Sequence, residues 1–268
     1  MIVVLILVGF VAGVIVNALA DDLPHYRRPR LPHYEDGSPK PLIIWSGLIA
    51  FLVGKRSTPN GSLLSWRYPA TEVATIIGMI VVYLAKSGDS KYSDLQLVFW
   101  LYYMAVFVLI TVIDIEHKLI LFSVIIPSCL IAIVDALTTS APPDIGTSLA
   151  GGAVGFGTFF VLYMGGIAYV YIANHYQGRR ISEVAFGYGD VMMALLSGLI
   201  IGVGGMLFAM FITVFLGAAG ALVYLVGRRL SGSGYSMITA LPYGPYIVAG
   251  TAIMMLWGPQ VRFLLVGY

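Results

Sequence analysis

The sequence predicts an all-α polytopic membrane protein with about eight transmembrane helices, and three observations carry that prediction. Hydrophobic residues make up 59% and charged residues 10% of the 268-residue chain, which leaves too little polar surface to cover a soluble globule. Apolar runs close to the roughly 20 residues that a spanning helix needs recur along the chain. The basic residues gather in alternate connections between those runs, as orientation in a bilayer requires.

The first run covers residues 2–20. It lacks the basic start and the small-residue cleavage site of a signal peptide, and Asp21 and Asp22 follow it, so it is expected to stay attached as a helix. Residues 21–68 form the longest polar segment, which opens on LPHYRRPRLPHYEDGSPKP and holds seven of the fifteen Lys and Arg. Within it, residues 42–54 (LIIWSGLIAFLVG) are apolar but too short to cross the hydrocarbon, and are expected at the interface or dipping into it. Further spans are expected at 69–85, 95–113, 119–138, 148–173, 190–203, 205–227 and 238–258. Only the glycine-rich turn at Gly202, Gly204 and Gly205 separates the sixth from the seventh.

Three segments follow: a first helix at 1–20, a loop segment at 21–68 without zinc-binding cysteines, and a core at 69–268 with about seven helices. The positive-inside rule puts 21–68 in the cytoplasm. Alternating from there, the turn at Asp114 to Lys118, the loop 174–189 and the loop at Arg228 and Arg229 are also cytoplasmic. Twelve basic residues then lie inside against Lys86, Lys91 and Arg262 outside, and both termini are expected outside.

A net charge of +2 without a basic stripe speaks against a nucleic-acid partner. The single cysteine, Cys129, excludes an internal disulfide and a multi-cysteine zinc site, and is expected as a small core residue. No metal site is expected. HExxH and GxSxG strings are absent as well.

On this topology Asp114 ends the third span and Asp190 begins the sixth, so two carboxylates are expected at the same membrane face. Ionisable groups at span boundaries are functional candidates. The plain alternative for Asp190 is a helix-capping acid that satisfies free N–H groups and the helix dipole. Gly187-Tyr188-Gly189-Asp190 sets two glycines before the carboxylate, where they let a substrate backbone approach closely or allow backbone angles closed to other residues. Two facing carboxylates share a proton. One then serves as base toward a water and the other as acid toward a peptide carbonyl, with no metal and no nucleophilic side chain needed.

The motifs together resemble the prepilin peptidases, the type IV leader peptidase family of GxGD membrane aspartyl proteases, nearly from end to end. GFVAGVIVNALADDLP, with Gly13 and Asn17, is similar to the family's opening motif. Ser65-Trp66-Arg67-Tyr68-Pro69 with Glu72 resembles the entry to its second span. Ile113-Asp114-Ile115-Glu116-His117-Lys118-Leu119-Ile120 and Gly187 to Asp190 resemble its two catalytic motifs, and Leu241-Pro242-Tyr243-Gly244-Pro245-Tyr246 resembles its last.

The resemblance implies that Asp114 and Asp190 are catalytic and that Glu116 is outside that pair. Gly187, Tyr188, Gly189, Glu116, His117 and Glu72 stand as candidates for active-site support. The bland readings are a neutral interfacial histidine for His117 and a helix first-turn acid for Glu72, whose alternatives are a structural partner for Arg67 or a contact near the active site. The implied substrates are prepilins or pseudopilins of type IV pilus and type II secretion systems, cleaved behind a short basic leader at the cytoplasmic face of a prokaryotic inner membrane. The pilin helix would approach laterally through the bilayer, and the number of subunits is left open.

Three departures stand out. Many members carry two CxxC zinc pairs in the cytoplasmic segment, whereas here Ser57 and Asn60 occupy one such pair of positions. Many also N-methylate the product with S-adenosylmethionine, and the missing cysteines leave that second activity in doubt, although proteolysis itself needs no cofactor. Met192 replaces a lysine after the GxGD aspartate, and Leu121 and Phe122 replace a Pro-Asp or Pro-Asn after Ile120. Competing readings are a transporter, which the scarcity of ionisable residues in mid-span opposes, a non-catalytic assembly subunit, and a presenilin-type protease.

Overall fold

The computed structural model describes residues 1–25, 27–34, 38–55, 63–86, 92–176, 187–230 and 242–267. Among these, every regular element is helical except an isolated bridge between His33 and Pro39. The chain divides into two compact units, Met1–Ser123 and Val124–Tyr268.

The first unit contains α1 (Ile2–Asp22), a 3-10 turn at Leu23–His25, another at Leu42–Ile44, α2 (Gly47–Leu52), α3 (Arg67–Lys86) and α4 (Asp94–His117). Helix α1 lies along α3, and α4 packs against both. The closeness of α1 to α3 rests on Gly9 and Gly13, one turn apart. A Cβ on them would sit 2.9 Å from the Cα of Ile76 and 2.7 Å from the Cα of Glu72. Small residues four apart let two apolar helices meet at the backbone, where packing supplies the attraction that water cannot. On the opposite face Val3, Leu7, Val11 and Ile15 are exposed, as a lipid-facing stripe requires. Pro69 falls in the first turn of α3, where its missing N–H leaves no helical bond unmade. Ser93 caps α4 by accepting the Gln96 N–H at 3.2 Å.

The second unit holds α6 (Ile145–Tyr176), α7 (Tyr188–Leu230) and α8 (Gly244–Val266), with α5 (Phe122–Thr138) beginning at the boundary. Helices α6 and α7 cross at glycines. A Cβ on Gly198 would fall 2.1 Å from the Gly151 carbonyl oxygen, and one on Gly155 2.3 Å from that of Ala194. The Ser148 hydroxyl donates to the Leu199 carbonyl at 2.7 Å beside this crossing. Helix α8 meets α7 where a Cβ on Gly250 would sit 2.5 Å from Thr213 Oγ1, and the Thr251 hydroxyl donates to Ser197 at 2.7 Å.

Six of these helices are long and apolar enough to cross a membrane: α1, α3, α4, α6, α7 and α8. The fold is therefore that of an all-α polytopic membrane protein. The eight expected spans reduce to these six, the shorter 17-residue α5, and α7 counted twice. Helix α7 runs for 43 residues but breaks at Gly202, whose φ of 69° and ψ of 171° are open to glycine and not to ordinary residues. The glycine-rich turn is thus a kink at one residue rather than a loop.

Two boundaries are corrected. The last helix begins at Gly244, behind Pro242 and with Pro245 in its first turn, and runs to Val266, past the expected end at 258, while residues 238–241 of the expected span lie outside the described residues. It bends at Trp257, ahead of Pro259, whose ring cannot accept a regular turn behind it. The turn expected at Asp114 to Lys118 starts only at Lys118, because Asp114 to His117 complete α4. Residues 42–54 form no spanning helix. They fold into the second 3-10 turn and the six-residue α2, with Leu42, Ile43, Leu52 and Val53 exposed. Cys129 is half-buried on α5. Ser57, Asn60, Arg179 and Arg180 lie outside the described residues.

Candidate active site

Asp114 sits in the last turn of α4 and is only 5% exposed. Its carbonyl accepts the N–H of Lys118 at 2.9 Å, and Lys118 ends the helix in the left-handed region, at φ 53° and ψ 40°. A non-glycine residue there costs about 1 kcal/mol, so the stop is held by its surroundings. Glu116 and His117 share this turn.

The surroundings are a charge cluster inside the first unit. Arg67, the first residue of α3, places Nη1 2.9 Å from Glu116 Oε2 and binds Asp21 at the end of α1 through Nη2. The Tyr68 hydroxyl donates to the same Asp21, whose oxygens lie 3.1 and 3.0 Å away. Lys40 sets its ammonium 4.3 Å from the centre of the Tyr68 ring and 3.9 Å from Asp21. The ring of His117 meets that of His25 edge-on at 5.6 Å, with its Nε2 4.0 Å from Glu116. Sequence spacing alone does not place Asp21, Tyr68 and Lys40 in this group. The signal that could have found them is the crowding of charges at three helix ends, read together with the Ser65 to Pro69 motif.

Glu72 is fully buried and lies in the second turn of α3, so it is not a first-turn acid of its own helix. It serves another helix. Its carboxylate accepts the N–H groups of Gly47 and Leu48 at 2.7 and 3.0 Å and the Ser46 hydroxyl at 2.6 Å, which satisfies the free start of α2. Asn17 of α1 donates to it at 3.3 Å and to the Tyr68 carbonyl at 3.0 Å. The partners of Arg67 are Asp21 and Glu116 instead.

In the second unit Asp190 stands in the first turn of α7 and is 9% exposed. Gly187 N–H donates to its Oδ2 at 2.8 Å, while Asp190 N–H donates to the Gly187 carbonyl at 3.1 Å. This is the returning half of a capping box. A Cβ on Gly187 would meet Asp190 Oδ2 at 3.7 Å, an ordinary contact, so crowding within the fold does not explain that glycine. Tyr188 is exposed and packs its ring edge-on against Tyr163 at 5.8 Å, and Gly189 lies between Tyr188 and the aspartate. Behind Asp190, residues Val191, Met193, Ala194 and Leu196 are fully buried, so this half of α7 is firmly seated.

Tyr243, immediately before α8, is a neighbour that the sequence did not single out as a site residue. Burial pushes its phenol pKa up, and the negative charge of Asp190 pushes it further. Its ring also occupies the space a side chain on Gly217 would need, 2.8 Å from that Cβ. Among the described residues no group of three or more His, Cys, Asp or Glu is arranged to hold a metal ion.

Apolar helices in two units, each with a largely buried aspartate at a helix terminus, define a polytopic helical membrane protein with candidate acid–base groups. Residues 101–222, which include both Asp114 and Asp190, match the type IV leader peptidase family. Over that stretch the chain is similar to type IV leader peptidases. No curated protein and no solved structure matches the chain.

Proposed function

We propose that this protein is an aspartyl endopeptidase that removes the short leader of type IV prepilin-like proteins, with Asp114 and Asp190 as its catalytic pair. The observation that carries the reading is the family match, which spans both aspartates. It is supported by the position of each carboxylate at the end of a membrane-length helix, shielded from solvent but at the boundary where a water and a polar peptide bond can reach it.

In this reading the pair holds one proton. The ionised carboxylate takes a proton from water as the water oxygen attacks the scissile carbonyl carbon, and the protonated carboxyl hydrogen-bonds the carbonyl oxygen. Collapse of the tetrahedral centre returns a proton to the leaving amine, and the pair regains its starting charge. The glycines at 187 and 189 leave room for an extended substrate backbone beside Asp190. The site faces the cytoplasm of a prokaryotic inner membrane, and the pilin helix enters sideways from the bilayer.

The test is co-expression with a candidate prepilin, with leader removal followed by gel shift in wild type, Asp114→Asn and Asp190→Asn. Both variants are expected to insert and to leave the substrate uncut. Normal processing by either variant would overturn the reading, and by both would favour a non-catalytic assembly role. The mass of the mature N-terminus in the same samples reads out N-methylation by S-adenosylmethionine.

A further inference from the structure

Arg67 ties three helix ends together. Asp21 is the penultimate residue of α1, Arg67 opens α3, and Glu116 is the penultimate residue of α4. The guanidinium spans the two acids with separate nitrogens, and its side chain is only 12% exposed. Asp21 is held from the far side as well, by the Tyr68 hydroxyl and by Lys40. The guanidinium carbon rests 4.3 Å from the centre of the Tyr68 ring. Arg67 is therefore fixed on its α1 side, and the remaining arm of its fork restrains α4.

What it restrains is the turn that carries Asp114. The last four carbonyls of a helix have no intrahelical partners, so a terminal turn frays unless something outside holds it. Helix α4 stops abruptly at the left-handed Lys118. Glu116 is two residues from Asp114, roughly 200° around the helix, so a clamp on Glu116 can hold the turn while the Asp114 side chain points elsewhere. We infer that Arg67 is a positioning residue for catalysis, acting through Glu116 to hold the terminal turn of α4 and with it the Asp114 carboxylate. This inference rests on the peptidase reading for its kinetic consequence, though the restraint itself does not.

A planar fork that bridges two carboxylates distinguishes this role from a general effect of positive charge. Lysine keeps the charge but is a point donor that cannot span both acids in the same way. Positioning thus predicts that Arg67→Lys fails to rescue the rate, whereas a purely electrostatic role predicts that it does.

The experiment uses the full chain purified in detergent, with a prepilin substrate for kinetics and amide hydrogen exchange for the turn. Arg67→Ala, Arg67→Lys and Glu116→Gln are each expected to lower kcat by about tenfold to a hundredfold, with KM little changed. The Arg67→Ala/Glu116→Gln double variant should be no slower than the worse single, because both cut the same tie. Amides 115–118 should exchange about tenfold faster in each variant. Glu116→Gln is nearly isosteric and partly exposed, so it serves if Arg67→Ala does not fold. Unchanged exchange at this turn, wild-type kcat in Glu116→Gln, rescue by lysine, or multiplying losses in the double variant would each overturn the inference. If Asp114→Asn cleaves like wild type, the peptidase reading fails instead, and the exchange data still decide the restraint.

Discussion

Oδ2 of Asp190 accepts the N–H of Gly187 at 2.8 Å, so the carboxylate proposed for chemistry also closes the first turn of its own helix. The two roles can be separated. Asparagine keeps an oxygen for the Gly187 N–H but cannot exchange a proton. Asp190→Asn should fold with nearly wild-type stability and lose at least about 100-fold in leader cleavage. Asp190→Ala should lose the cleavage and about 1 kcal/mol of stability as well. Thermal unfolding in detergent beside the cleavage assay checks both.

Tyr243 reports the charge on Asp190. Its pKa is held up first by burial and then by that negative charge, so Asp190→Asn should lower it toward the ordinary phenol value of about 10. Ultraviolet titration of the phenolate, with Tyr243→Phe subtracted, reads the shift. A raised phenol pKa stabilises the fold fully below the unfolded value, and that contribution is lost as pH rises through the folded one. Tyr243→Phe should accordingly flatten the alkaline decline in stability.

Glu72 holds the start of α2 from another helix, and removing it leaves the N–H groups of Gly47 and Leu48 and the Ser46 hydroxyl without their acceptor. Glu72→Ala should cost at least about 3 kcal/mol, at a penalty of 1–3 kcal/mol for each of the three groups left unsatisfied. Glu72→Gln, which keeps one acceptor, should cost less. Chemical unfolding, with faster amide exchange at Gly47 and Leu48, measures the loss.

The crossing of α6 and α7 should tolerate no side chain. Gly198→Ala would push a Cβ against the Gly151 carbonyl, where 2.1 Å is available, and should destabilise the protein by about 1–3 kcal/mol or more. Gly157→Ala, on the same α6 but with nothing within 4 Å, should be neutral or stabilise by up to about 1 kcal/mol. Unfolding midpoints of the two variants compare crowding with propensity directly.

The sequence conveys what depends on one helix at a time. The runs at 2–20, 69–85 and 95–113 became α1, α3 and α4 within a few residues, because a long apolar stretch has no other way to satisfy its backbone in lipid. Contacts between helices were less legible. The pattern marks Glu72 as an acid near a helix start, which is correct in kind, but the start belongs to α2, 25 residues away at Gly47. Spacing suggests Glu72 as a partner for Arg67, yet two acids at other helix ends hold it, and nothing in linear spacing brings residues 21, 67 and 116 together. The start of the last helix was placed too early because apolarity continues through residues where proline and glycine set the true boundary.

Backbone meets backbone at Gly151 and Gly198, and Asp190 is only eight residues further along the same rigid rod. The height of that acid relative to α6 is consequently dictated by peptide groups, not by the bulk of neighbouring side chains. Exchanging leucine for isoleucine or valine around the rod, or thinning the surrounding lipid, would alter what bathes the helices while leaving the carboxylate at the same level on its scaffold.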